Sequence, residues 1–462
     1  MVAAINGLEA AVCYERVSCC PRYYPCPDCG ERGKRKQCLQ RQIRTIAYGK
    51  IVYLDVTYGE YRATCDCCKT FRSTPPDVEL GCQYDNKVRQ AVLDRLIADG
   101  MNVQGLLAAL RRDFLLEVSE GFVYDCLHRE VARLEMADYR RWALEHFSGT
   151  LCVDELHLGR YTLLLATDPL SDFPVAFALV GKNDQDHMRR FLENLKNWGF
   201  SPEVVITDGS PLYPKLLADL WPEARHQLCI FHVMQDITKE VLNIVKRMRR
   251  ELARRGNRGR KRGRGRPKKG QKKRSGMTLK DKAHFIFKNR HLIVKRRENM
   301  TDAEHEKLDT MLSYLPALST LRVFMDKIFD LFSPDQTHQQ AGCRRSALVR
   351  NGSYQAIPEL AKVIGMLQPE KFDKMMSFLH SEAAKKVRTN NHVERANRKL
   401  RYFEKVRYKW RRRRSIVRFV LLAIDHWWRS RSNRPEHANA KQAKTNSKQA
   451  NPTPQRTYAL SG

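Results

Sequence analysis

The chain has 462 residues, 42% of them hydrophobic, and a formal net charge of +33. That length calls for two to four domains rather than one core, and that charge calls for an acidic partner. No run of about 18 apolar residues occurs, so no helical membrane span is expected. The opening residues MVAAINGLEAAVCYERVS lack the basic-then-apolar order of a secretory signal, which points to the cytoplasm. In that reducing compartment the 14 cysteines are expected as metal ligands or buried thiols rather than disulfides.

Ten of those cysteines fall in residues 13–82. CPDCG supplies Cys26 and Cys29, and CDCCKTF supplies Cys65 and Cys68 at the same spacing. Two such knuckles suit one tetrahedral Zn²⁺, because each sets two thiolates on a tight turn. Between them KIVYLDVTYGEYRATC alternates as a strand, so 13–82 is read as a ribbon-like zinc segment. The 35-residue gap is longer than the common spacing, and Cys67 competes with Cys68 as the fourth ligand. Unliganded buried thiols are the alternative. Cys13, Cys19, Cys20, Cys38 and Cys82 stay unassigned.

Residues 84–135 follow as an all-α segment of three helices. Val88, Val92, Leu93 and Leu96 recur at helical spacing before Gly100 breaks the pattern. Val103, Leu106, Leu107 and Leu110 mark the second helix. Ser119 is a natural N-cap for the third, with Phe122, Val123, Leu127 and Val131. The spacing allows a helix-turn-helix whose last helix enters the major groove; simple packing is the rival role.

Residues 150–233 change to strand patterns: TLCVDELHL (150–158), YTLLLATD (161–168) and FPVAFALVG (173–181). A helix is predicted over 184–198, with Met188, Phe191, Leu192 and Leu195 on one face. The buried strand PEVVITDGS (202–210), a helix over 211–221 and the strand RHQLCIFHV (225–233) complete the series. Three hairpin-linked strands followed by helix-alternating strands fit an α/β RNase H-like core. Asp154 lies inside the first strand, and Asp208 ends the fourth, where parallel strands present ligands. A carboxylate in an apolar strand is costly unless something compensates it. A pair of hard Mg²⁺ or Mn²⁺ ions would do so. Glu155 and Asp168 are the competing acids; Glu155 should point to the opposite sheet face.

Residues 234–384 read as a helical insertion, with a disordered basic stretch at 251–276. Residues 385–430 form a basic helical segment that completes the core, and 431–462 a flexible tail. Two basic blocks stand out. Residues 246–274 hold 17 Lys/Arg against Glu251 alone, and 385–414 hold 14 against Glu394 and Glu404. Such blocks suit a polyanion; a solvated tail and helix face are the alternative. In TNNHVERANRKLRYF, Glu394 shares a helical face with Asn397 or Arg398. GRKRGRGRPKKGQKKR contains Arg264-Gly-Arg266-Pro, the core of an AT-hook for the narrow A·T minor groove. A nonspecific polycation is the alternative.

CVDELHLG, TDGSPLY, LCIFHV and TNNHVERANRKLR together resemble the DDE transposases of bacterial insertion sequences, ISL3 type, over about residues 24–428. The resemblance implies a zinc segment, a helix-turn-helix and an RNase H-like core interrupted by a helical insertion before its Glu. It carries the family's acids onto Asp154, Asp208 and Glu394 as catalytic ligands of Mg²⁺ or Mn²⁺. It implies double-stranded DNA, both terminal repeats and target, as partner. It also implies a homodimer or larger synaptic complex at the nucleoid. Arg395, Arg398 and Lys399 are expected DNA contacts, as are Arg264 and Arg266. Relatives often have Asp-x-x-His where this chain has Cys229 and His232, which are expected to bind or orient DNA near the metals; a buried cysteine and a satisfied histidine are the alternative. A transposase-derived regulator without chemistry and a structure-specific nuclease of the same fold are the rival readings.

Overall fold

A computed structural model describes residues 2–5, 8–258, 277–380, 385–406 and 412–432. The AT-hook residues Arg264 and Arg266 lie outside them. By its contacts the chain forms two compact units. One contains Met1–Arg141, His157–Tyr161 and the chain from Arg398; the other contains Trp142–Leu156 and Thr162–Asn397.

The first unit opens with a six-stranded sheet: β1 (Val2–Ile5), β2 (Leu8–Cys19), β3 (Tyr23–Pro25), β4 (Arg32–Ala47), β5 (Lys50–Arg62) and β6 (Thr70–Arg72). β4 and β5 form a long antiparallel hairpin. Its turn is Tyr48-Gly49, and Gly49 takes a φ of +66°, which a glycine adopts without steric cost. β2 runs parallel to β5 on the other side. Val17, Ile43, Leu54 and Val56 alternate onto one face and pack with Val78. One expectation fails here: Cys20 and Cys38 form a disulfide. Cys20, the residue after β2, has its Cα 6.3 Å from that of Cys38 in β4, inside the range a bridge needs. Nothing in the spacing of the two cysteines reveals that approach.

Four helices follow: α1 (Asn86–Leu93), which runs on through a π-helical turn at Asp94–Ala98, α2 (Val103–Phe114), α3 (Glu120–Ala132) and α4 (Met136–Glu145). Gly100, φ +69°, ends the first where the pattern broke. Ser119 caps α3 by accepting from the Phe122 N–H at 3.1 Å. Glu79 anchors this group. It takes hydrogen bonds from Arg89 of α1 and from Arg133, and one from Arg129 of α3 at 3.2 Å. Arg89 above all, then Arg133, holds the Glu79 carboxyl down at about 2.

The second unit is built on a mixed five-stranded sheet. Its elements are β7 (Thr150–Leu158), β8 (Tyr161–Asp168), β9 (Phe173–Val180), α5 (Gln185–Asn197), β10 (Val204–Thr207), α6 (Tyr213–Leu220) and β11 (Arg225–Leu228). The strand order is β11-β10-β7-β8-β9. β10 is parallel to both β7 and β11, while β8 and β9 are antiparallel. Met188, Phe191, Leu192 and Leu195 are the buried face of α5, as their spacing required, and Asp184 caps that helix.

The last strand is shorter than expected. β11 stops at Leu228, and Ile230 opens α7 (Ile230–Arg258). Ile230, Val233, Ile237, Val241, Ile244 and Val245 are buried at helical spacing, a period that a short apolar run cannot display alone. α7 also runs eight residues into the stretch read as disordered, to Arg258.

The insertion continues as α8 (Leu279–Asn289), α9 (Asp302–Tyr314), α10 (Leu318–Leu331), α11 (His338–Val349), α12 (Gly352–Gln355), α13 (Pro358–Met366) and α14 (Pro369–Met376). Capping boxes at Thr278/Asp281, Thr301/Glu304 and Thr337/Gln340 start three of them. The buried Arg322 is satisfied by the carbonyls of Leu292 and Ile293, at 3.1 and 3.0 Å, and by Asp326. After α14 the chain returns to the sheet edge. The Gln227 side chain of β11 donates to Met375 O (3.0 Å) and accepts from Phe378 N–H (2.6 Å). That return lets α15 (Asn391–Val406) start beside the strands; α16 (Arg413–Ser432) follows. Among the described residues, no helix is long and apolar enough to cross a membrane.

Candidate active site and cysteine cluster

Asp154 stands in the middle of β7. The parallel register sets Ile206 of β10 opposite Cys152, so two residues further on Asp208 comes level with Asp154. Asp208 Oδ1 accepts from Ser210 N–H at 2.9 Å, which fixes the turn into α6. The adjacent Glu155 is occupied elsewhere: the Tyr213 hydroxyl of α6 donates to it at 2.6 Å.

The third acid arrives on α15, and two asparagines bring it there. Asn390, fully buried, donates its side chain to Val153 O at 3.2 Å and its backbone N–H to Cys229 Sγ at 3.1 Å. The Glu394 N–H closes on Asn390 O one turn later, at 3.1 Å. Asn397, on the same helical face, donates to Asp154 Oδ2 at 2.8 Å. His232 of α7 meets Glu394 Oε1 at 3.4 Å. The structure therefore gathers Asp154, Asp208, Glu394, Cys229 and His232 around the strand ends.

The electrostatics are those of crowded acids. Burial raises Asp154 to about 7, with the charges of Glu155 and Asp208 adding to it. The Cys229 sulfur, then Glu394 and Asp154, raise His232 to about 9. Buried oxygens of Asn390 and Asn397 have no hydrogen-bond donor, and Glu394 Oε1 has only the His232 ion-pair contact. Acceptors that lack donors in a half-buried place are what a cation satisfies. Among the described residues, the groups whose ligand atoms all lie within 4.8 Å of one another are built on cysteines, not on these three acids. A pair of metal ions does not require one common sphere, since the ions themselves stand about 3.5–4 Å apart.

A family model for transposases, DDE_Tnp_ISL3, matches residues 151–417. The chain belongs to the ISL3 family of DDE transposases. The match starts in β7, spans the insertion and α15, and ends in α16. No curated protein matches. Among solved structures, the Drosophila P element transposase strand transfer complex aligns at 11% identity with a TM-score of 0.39. The alignment covers 73% of this chain and 91% of that one.

In this transposase Asp168 has a structural role. Its buried carboxylate accepts from the Ser148 N–H and hydroxyl (2.6 and 2.7 Å) and from the Leu170 and Ser171 N–H groups (2.9 and 3.0 Å). Asp168→Ala should lower stability by ~2 kcal/mol or more by orphaning those donors, while strand cleavage below the unfolding midpoint persists. Urea unfolding beside a cleavage assay checks this; lost cleavage at unchanged stability would return Asp168 to the site.

The cysteine cluster of the transposase can hold a metal ion. Cys26, Cys29, Cys65 and Cys67 have their sulfurs within 4.8 Å of one another, and Cys26, Asp28 and Cys68 form an overlapping group. Cys68 Sγ is 4.0 Å from Cys26 Sγ. Of the four predicted ligands, Cys26, Cys29 and Cys65 thus meet, and Cys67 rather than Cys68 joins all of them. Backbone hydrogen bonds from Cys29 and Asp28 draw the Cys26 thiol down to about 7, toward the thiolate that binds zinc. Gly30, φ +81°, turns the first knuckle.

Arg395, Arg398 and Lys399 are exposed on α15. One pair there escaped sequence reasoning: His392 Nε2 meets Asp172 at 2.6 Å, with Arg395 4.0 Å from the same oxygen. The left-handed Asp172 in the β8–β9 turn, φ +55°, is a feature with no sequence signal.

Proposed function

We propose that this transposase binds the ends of its own insertion sequence and cuts and joins DNA with Asp154, Asp208 and Glu394 as the catalytic carboxylates. The observation that carries this reading is the convergence of three acids from β7, β10 and α15, with α15 pinned to β7 by Asn390 and Asn397. The strand order β11-β10-β7-β8-β9, with its antiparallel and parallel halves, supports an RNase H-like core. The acid-crowded Asp154 beside Asp208 suits Mg²⁺ or Mn²⁺. Bound there, a metal pair supplies activation of the attacking oxygen and stabilisation of the leaving one.

The chain's own residues prepare that site. Asn397 fixes the Asp154 carboxylate, Asn390 fixes the first turn carrying Glu394, and His232 shares its charge. Cys229 and His232 border the acids where DNA would lie. α1–α3 serve as a helix-turn-helix, and the cysteine hairpins as a zinc segment. Arg395, Arg398 and Lys399 contact the DNA backbone, Arg264 and Arg266 the minor groove, and two copies pair the two ends.

The test is incubation of purified protein with its own flanking DNA and Mn²⁺. Nicks at the repeat ends are expected; end binding without nicks would leave a regulator. Asn390→Ala should reduce cleavage about 10- to 100-fold, as loss of a ligand's support does, with end binding kept within a few-fold. Single-turnover rates check it, and unchanged rates would make Asn390 a packing residue only.

A further inference from the structure

The helical insertion carries an exposed aromatic ring crowded by two cations. Phe287 of α8 is 41% exposed. The guanidinium carbon of Arg249, from α7, is 4.8 Å from its ring centre, and that of Arg290 is 4.4 Å away. Arg290 is held by a 2.7 Å hydrogen bond to Phe287 O. Arg249 Nε is buried without a hydrogen-bond partner.

The charges here lack counterions. Among the described residues neither arginine forms an ion pair, whereas Arg247 on the same helix pairs with Glu359 at 2.9 Å. The adjoining residues 259–276 contain no Asp or Glu that could neutralise them. Lys246, Arg250 and Lys288 are exposed on the same two helices. A phenyl face supports a cation, worth ~0.5–1 kcal/mol at an exposed site. It does not relieve repulsion between two cations at one ring, and beyond the Arg290 bond to Phe287 O it engages none of the planar N–H donors. A phosphodiester oxygen pair matches those donors, and its single negative charge placed between the two cations eases their repulsion.

We infer that Arg249 and Arg290, fixed on Phe287, form a seat for a DNA backbone phosphate on the insertion. The inference rests on the reading of this chain as a DNA-binding transposase and adds a surface that the acids and cysteines do not include. An extended duplex is favoured over a free phosphate because the neighbouring Lys246, Arg250 and Lys288 continue the positive surface.

The experiment is a salt titration of full-length protein binding to a labelled random 30-bp duplex. Each phosphate contact contributes about −0.9 to the slope of log K against log salt. Arg249→Gln with Arg290→Gln, which removes the one phosphate contact, should therefore shallow the slope by about 0.9. Arg247→Gln, which removes a charge already paired, should leave it unchanged. Arg249→Lys with Arg290→Lys keeps the charge and guards against misfolding; it should keep the slope while weakening affinity, since the planar forks are gone. A slope unchanged in the glutamine pair, in a protein of wild-type thermal stability, overturns the seat. So does inorganic phosphate displacing the duplex better than chloride at equal ionic strength, which would assign the site to a free anion. Failure of the unmodified protein to bind the duplex would instead overturn the proposed DNA-binding reading on which the seat rests.

Discussion

Asp154→Ala, Asp208→Ala and Glu394→Ala are each expected to lower strand cleavage and joining by about 10³-fold or more, with binding to the element ends held within a few-fold. Metal ligands act as a unit, so each single loss approaches the full loss. Binding survives because the groups proposed to hold DNA lie on other residues. Removing a carboxylate from the neighbourhood of a polyanion does not weaken its attraction. Glu155→Ala is the matched control: its carboxylate is held by Tyr213, 2.6 Å away. It should cost stability and leave cleavage within about tenfold. Nicking of flanking DNA in Mn²⁺, with end binding measured on the same samples, reads all four. Cleavage within a few-fold of wild type in any of the first three removes that residue from the catalytic set.

The second large effect is expected from zinc removal. Four sulfurs within 4.8 Å of one another, in hairpins with little core beyond Cys26, Tyr61 and Phe71, depend on a cation for their arrangement. Structural zinc in small segments supplies about 10–16 kcal/mol of apparent binding free energy, which is folding free energy. Chelation should unfold the two knuckles and abolish specific end binding, and elemental analysis should find one zinc per chain. Metal-replete protein without zinc would end this reading. Cys67→Ser and Cys68→Ser separate the two choices for the fourth ligand: the one that releases zinc is the ligand.

The sequence made the central sheet legible because its strands alternate or are wholly apolar at lengths that admit one period. Thr150–Leu158, Tyr161–Asp168 and the face of α5 follow directly from that. It misplaced the end of β11, since Cys229–Val233 shows its helical period only with the residues up to Val245. The 16-residue β4 was hidden by a run of polar residues, RGKRKQ, that reads as loop. In CDCC adjacent cysteines compete for one position, and spacing cannot choose between them. The Cys20–Cys38 bridge depends on how β2 and β4 lie in the sheet, and no local pattern encodes that. At the acids, the shared face of Glu394 and Asn397 was readable from helical geometry. The buried bonds of Asn390 and the Asp172–His392 pair were not, because they join residues 161 to 237 positions apart.

That separation bears on the order in which the protein becomes able to act. The hydrogen bond from Asn390 to Val153 spans 237 residues. Domains emerge from the ribosome N-terminal first, at about 5–20 residues per second. The cysteine hairpins, α1–α3 and the strands bearing Asp154 and Asp208 are therefore synthesised well before Glu394. During that interval a nascent chain carries the cysteine hairpins and α1–α3 proposed to grip DNA, but it lacks α15, the chain from Arg398 that belongs to the first unit, and one of the three proposed catalytic acids. Under the proposed mechanism, competence to cut is gained only when α15 has been made, so a product ending before α15 is expected not to cut DNA.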